Sequence, residues 1–188
     1  MTPKLHVVTV STRPGRVGPS VARWFSEFAS GHGGFEVLPI DLAEFELPVY
    51  DEPHHPTLQK YQHEHTRRWA ASVASADAYV FVLPEYNYNP PPTFYNALNY
   101  VYKERNYKPA GFVSYGGVSG GLRSTQVAKQ LVTTLKMMPM MEGVMVPMVA
   151  SLLDEERNFR SNELIDKAAG VMLDELLKWA RALATMRA

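Results

Sequence analysis

Residues 78–100 read AYVFVLPEYNYNPPPTFYNALNY. The run from Ala78 to Leu83 is apolar throughout, as expected of a strand buried on both faces of a sheet. Helical spacing begins at Thr93 and continues to Tyr102, and between the two lies a cluster of turn-forming residues. Strand, loop and helix make one unit, and the chain repeats it. Leu5 to Val10, Glu36 to Ile40, Gly111 to Tyr115 and Val144 to Val149 read as further strands. Helical spacing covers Pro19 to Ser30, Leu58 to Ala74, Leu122 to Met137 and Glu163 to Met186. Such alternation predicts parallel βαβ units with right-handed crossovers, hence a doubly wound five-stranded parallel sheet between two helical layers, an α/β/α sandwich.

The 188 residues are 46% apolar and 20% charged, enough for one buried core, so residues 1–188 are expected to form a single domain. No repeat, low-complexity tract or long linker divides them. The irregular stretches Leu42 to Pro56 and Ser151 to Asn162 read as excursions that could rim a site. Lysine plus arginine and aspartate plus glutamate each total 19, so no overall field draws the chain to nucleic acid or a membrane surface, and a small-molecule partner is favoured. There is no cysteine, which excludes disulfides, thiolate metal sites and iron–sulfur clusters. Redox chemistry would therefore need a cofactor. The opening MTPKLHVVTVSTR is too short an apolar stretch for a signal peptide, and no segment approaches the roughly 20 apolar residues of a membrane span. The expected location is the cytoplasm.

Glycine, proline, serine and asparagine concentrate after the first, third and fourth strands, which are neighbours in a sheet of order 2-1-3-4-5. Ligands of such sheets bind outside the carboxyl ends of the strands, where the winding reverses. Loop 1, STRPGRVGPS (Ser11 to Ser20), offers hydroxyls on Ser11, Thr12 and Ser20, guanidinium groups on Arg13 and Arg16, and glycines at 15 and 18. With the amides that open the next helix, it suits a phosphate. Loop 2, PEYNYNPPP (Pro84 to Pro92), ends in three prolines that stiffen the path and should leave the preceding amides in want of partners, such as the polar edge of a flat heterocycle flanked by tyrosines. Loop 3, SYGGVSGG (Ser114 to Gly121), would let backbone approach the same ring. GGVSGG matches neither the dinucleotide nor the P-loop pattern: Val118 stands where a third glycine would fall, and no Lys-Ser or Lys-Thr follows Gly121.

His54, His55, His63 and His65 could suggest a metal site, but His63 and His65 are two apart on a predicted helix and should diverge, so solvated histidines are the preferred reading and no metal is expected. The methionines between 137 and 148 read as core or subunit contacts.

Together the three loops resemble the NADPH-dependent FMN reductase family, a flavodoxin-like group that includes quinone, azo-dye and chromate reductases. Its first loop reads G-S-x-R with a following serine, its second P-E-Y-N-x-S-x-P-G before a K-N-A-I-D-W helix, and its third carries paired glycines. The counterparts here are VSTR, PEYNYNPPP with YNALNY, and SYGGVSGG, spanning about Leu5 to Leu135. The resemblance implies FMN held by Ser11, Arg13, Gly18 and Ser20 at its phosphate, by Pro84, Glu85, Tyr86 and Asn87 along the ribityl chain and ring, and by Ser114, Gly116 and Gly117 at the other edge. It implies hydride transfer from NADPH or NADH to N5 of FMN, then reduction of a quinone, free flavin, azo compound or metal oxyanion, with no catalytic side chain. Arg16, Tyr88 and Asn89 are candidates for substrate contact, Arg16 toward the NADPH phosphate or ribose. A homodimer through the Thr93 to Tyr102 helix is implied, with a tetramer as a further assembly. Asn89, Pro92, Tyr95, Asn99 and Tyr100 depart from the family pattern where the acceptor pocket and dimer contacts would lie. Two other readings are a flavodoxin-type electron carrier, which is usually strongly acidic, and a flavin-free interaction domain on the same scaffold.

Overall fold

The computed structural model describes residues 2–187. Its strands are β1 (Lys4–Thr9), β2 (Glu36–Asp41), β3 (Ala78–Pro84), β4 (Pro109–Tyr115), β5 (Met138–Pro139) and β6 (Val144–Val146). Its helices are α1 (Gly18–His32), α2 (Glu64–Ser75), α3 (Pro92–Tyr100), α4 (Leu122–Thr133) and α5 (Glu163–Ala184). The sheet is parallel, in order β2-β1-β3-β4-β5, with β6 also paired to β4. Strands 1, 3 and 4 are adjacent, as the sequence implied.

β3 and β4 are buried at every residue, which is why each reads as a mainly apolar run. One apolar cluster joins β-sheet residues Leu5, Val7, Val80 and Val113 to Phe25 of α1 and Met172, Leu173 and Leu176 of α5. A second, on the other face, joins Val8, Phe81 and Phe112 to Trp69 of α2, Phe94 of α3 and Val132 of α4. The sheet is thus covered on both sides by the periodic apolar faces of the helices.

Three boundaries differ from the sequence reading by more than two residues. The predicted strand from 144 to 149 shrinks to Val144–Val146, because Pro147 has no N–H to donate and Met148 turns left-handed at φ 49°. The remaining edge of β4 is paired by Met138–Pro139, so two short segments fill the fifth position. α2 starts at Glu64 and not Leu58: residues 56–58 form a single 3-10 turn closed by Gln59 at φ 53°, and Leu58 is exposed. α4 ends at Thr133, ahead of Lys136 at φ 55°.

Candidate functional site

The sheet brings the carboxyl ends of β1, β3 and β4 together, and side chains stitch the three following loops into one crevice. The hydroxyls of Ser11 and Tyr86 lie 2.8 Å apart, joining loops 1 and 2. Thr93 at the start of α3 donates to the Val10 carbonyl at 2.8 Å. Glu85 crosses from loop 2 to the start of α4. One of its oxygens accepts from Arg123 Nε at 2.8 Å, and the other from the Arg123 amide at 3.1 Å, with the Ser124 amide at 3.5 Å. The carboxylate therefore caps a helix whose own N-cap, Gly121, has no side chain. Burial pushes the Glu85 carboxyl up, but bonds from Arg123, Ser119 and Ser124 outweigh it and hold the group below its ordinary range.

Loop 1 is an open arc of backbone. Among the described residues the amides of Thr12, Arg13, Gly15 and Val17 have no hydrogen-bond partner. They sit just before the N-terminus of α1, where the peptide dipoles favour an anion. Gly18 gives its neighbours room: a Cβ there would lie 2.9 Å from the Tyr115 hydroxyl and 3.1 Å from Thr9 Cγ2, so those side chains would have to shift. Arg13 is exposed, its guanidinium carbon 5.8 Å from the centre of the Tyr86 ring. Arg16 is engaged differently, donating to the Ser11 carbonyl at 2.8 Å and pairing with Asp41, the last residue of β2. Ser20 accepts from the Phe159 amide at 2.6 Å and keeps its own hydroxyl proton to donate.

Loop 2 departs from expectation in one respect. The amides of Tyr86 and Asn89 pair with each other's carbonyls at 2.9 Å, closing a two-residue turn with Asn87 and Tyr88 both left-handed at φ 49° and 71°. Only the amides of Asn87 and Tyr88 stay unpartnered among the described residues. The exposed Tyr88 ring stacks under the Arg123 guanidinium at 3.8 Å. Asn89 accepts from the Tyr95 hydroxyl at 3.3 Å.

In loop 3, Ser114 is buried and its hydroxyl donates to the Gly120 carbonyl at 2.8 Å, so its side chain braces the loop from beneath. Gly116 and Gly117 lie at the surface of the loop, tied through their carbonyls to the amides of Val149 and Met148. Beside loop 1, a cleft of about 260 Å³ is lined by Thr12, Leu42, Ala43, Glu46, Leu47, Thr93 and Asn96.

Sequence reasoning missed Asp41, Arg123 and Arg157. Asp41 ends the strand beside β1, which was a usable signal. Arg123 opens a helix directly after a glycine-rich loop. Arg157, whose guanidinium reaches the Gly15 carbonyl from 142 residues away, carries no signal in the sequence. The histidines also differ from expectation: His63 is the extended N-cap of α2, so its ring stacks on that of His65 at 5.2 Å instead of diverging. His65 Nε2 lies 3.1 Å from Asp51.

A crevice of this form, with an anion cradle on one side and a glycine-lined backbone slot on the other, suits a mononucleotide with a flat ring. The NADPH-dependent FMN reductase family model matches residues 3–151. An NAD(P)H-dependent FMN reductase of Schizosaccharomyces pombe is 38% identical over 151 residues, 78% of this chain and 75% of that protein. A quinone reductase of Escherichia coli K12 is 30% identical over 149 residues, 74% of this chain and 76% of that one. FerB, a flavoenzyme NAD(P)H:(acceptor) oxidoreductase from Paracoccus denitrificans, shares the fold, with a TM-score of 0.77 at 19% identity, covering 96% of this chain and 98% of its own. The chain belongs to the NADPH-dependent FMN reductase family. It is thereby an oxidoreductase of flavodoxin-like fold whose family cofactors are FMN and NAD(P)H.

Proposed function

We propose that the chain holds FMN across the three loops and reduces a small acceptor, such as a quinone or free flavin, at the expense of NAD(P)H. The observation that carries this reading is the row of unpartnered amides in loop 1, at the carboxyl end of β1 and the head of α1. Backbone donors left over at the head of a helix are free to meet an anion, and a phosphate dianion meets several at once.

In this reading Ser11, Arg13, Gly18 and Ser20, with the neighbouring amides, hold the phosphate. Pro84, Glu85, Tyr86 and Asn87 border the ribityl chain and ring mainly through backbone, since the Glu85 side chain is committed to α4. Gly116 and Gly117 admit the ring's other edge, supported from below by Ser114. When bound, FMN supplies the two-electron chemistry, so no side chain has to serve as nucleophile or general base. The protein's own work is to place the ring, shield one face and leave the other open. Tyr88 and Asn89 stand at the open rim as acceptor contacts. Relatives named as quinone reductases support a quinone as acceptor. In this reading the chain assembles as a homodimer through α3, on which Tyr95 and Asn99 are open to a partner. A cytoplasmic location fits the chain, in which no described helix is long and apolar enough to cross a membrane.

The test is a visible spectrum of the purified protein after FMN is added and the excess removed, followed by anaerobic NADPH. Bound flavin bands that bleach within seconds are expected. Bound flavin that NADPH leaves oxidised would move the reading to an electron carrier, and failure to retain any flavin would overturn it.

A further inference from the structure

Loop 1 has a neighbour far away in sequence. Residues 154–160, within the excursion between β6 and α5, fold back onto the start of α1. Four contacts hold them there: Phe159 donates its amide to Ser20 Oγ at 2.6 Å, Arg23 reaches Asn158 at 3.3 Å, Phe159 packs edge-on against Trp24 at 5.1 Å, and Arg157 donates to the Gly15 carbonyl at 3.2 Å. Within the segment, Asp154 accepts from the Asn158 amide at 2.7 Å and pairs with Arg160. The segment is therefore docked and internally braced, and it delivers one exposed guanidinium to the rim of the anion cradle.

The three arginines near loop 1 are not equivalent. Arg16 is neutralised by Asp41 and is spent on the Ser11 carbonyl. Arg13 and Arg157 have no carboxylate within ion-pair distance among the described residues. Glu155 and Glu156, which precede Arg157, are exposed and paired with neither. Arg157 uses one of five N–H donors on Gly15, and the planar fork that remains suits a phosphate oxygen pair.

We propose that Arg157, supplied by the segment docked on α1, forms a phosphomonoester subsite at the rim of loop 1. The proposal rests on the flavin reading above and names a residue that reading did not include. Two phosphomonoesters could occupy the subsite: the 5′-phosphate of FMN and the adenosine 2′-phosphate that distinguishes NADPH from NADH. Both present a dianion, and the experiment separates them.

Arg157→Ala and Arg157→Lys would be compared with the wild type by fluorescence titration of the apoprotein with FMN and with riboflavin, and by titration of the FMN-loaded protein with NADP+ and with NAD+. If the subsite holds the flavin phosphate, FMN binding weakens about tenfold in R157A while riboflavin binding is unchanged. If it holds the dinucleotide phosphate, NADP+ binding weakens by about that factor while NAD+ is unaffected. In either case R157K recovers part of the loss, and added salt narrows the gap between the phosphorylated and unphosphorylated ligands in the wild type. Four affinities within twofold of the wild type, in a variant that binds riboflavin normally, would overturn the subsite while leaving the flavin reading intact. A wild-type protein that binds no FMN would overturn the flavin reading itself.

Discussion

Arg123 grips both oxygens of Glu85, its Nε donating to one at 2.8 Å and its backbone amide to the other at 3.1 Å, across 38 residues of chain. One carboxylate thus caps α4, anchors the left-handed turn at Asn87 and Tyr88, and holds the guanidinium that stacks on Tyr88. Glu85→Gln should cost about 1 kcal/mol of stability by weakening the cap. FMN affinity should fall more clearly, by about tenfold, as the turn is released. Urea denaturation and flavin titration would check the two effects. An unchanged flavin affinity would show that the turn keeps its shape without the clasp.

Two glycines of loop 3 should respond in opposite ways. Gly121 has φ +82°, and a Cβ there would lie 2.7 Å from Ser114 Cβ and 2.9 Å from the Tyr115 amide nitrogen, neither of which can swing aside. Gly121→Ala should therefore cost about 3 kcal/mol or more. At Gly117 a Cβ would meet nothing within 4 Å. Gly117→Ala should stay within about 0.5 kcal/mol of the wild type yet weaken FMN, because the space it fills is the slot assigned to the ring. Melting curves with and without FMN distinguish the two variants.

Arg16 should behave as a brace and not as a phosphate contact. Its pairing with Asp41 and the Ser11 carbonyl fixes the bend of loop 1. Arg16→Ala should raise the Michaelis constants for NADPH and NADH by similar factors through a disturbed flavin site. A selective loss for NADPH would restore the direct phosphate role suggested by the sequence, and no change for either would remove Arg16 from the site.

His6 gives a pH dependence. Burial, aided by the charges of Lys108 and Lys4, lowers its pKa from 6.5 to about 4. Below pH 6.5 the unfolded chain takes up a proton that the folded chain refuses, so stability falls as pH drops and the effect is complete near pH 4. The loss is at most about 3 kcal/mol. In His6→Gln, whose other groups titrate as before, denaturation midpoints at pH 7 and pH 4.5 should lie closer together than in the wild type. A parallel shift in both proteins would rule out His6 as the source.

Most of the fold was legible because β1, β3 and β4 are buried on both faces and therefore leave short, mainly apolar runs in the sequence. The loops were legible because their backbone shapes demand particular residues, as the left-handed Gly15 at φ 71° and Gly121 at φ 82° illustrate. What escaped depended on contacts between distant residues. Nothing local to Ser20 says that its hydroxyl meets Phe159, and nothing near Glu85 says that it caps a helix 38 positions on. The start of α2 was misplaced for a different reason: Leu58 fits an apolar stripe but is solvent-exposed, so its hydrophobicity reported no packing.

The divided fifth position of the sheet also bears on how copies of the chain can meet. β4 is covered on its outer side by only two short segments, the first ending in Pro139 and the second followed at once by Pro147, while the opposite edge strand, β2, carries Pro39. Each proline deletes a donor from a rim where another molecule could otherwise add a strand. Growth of the sheet from one molecule into the next is therefore disfavoured at both borders.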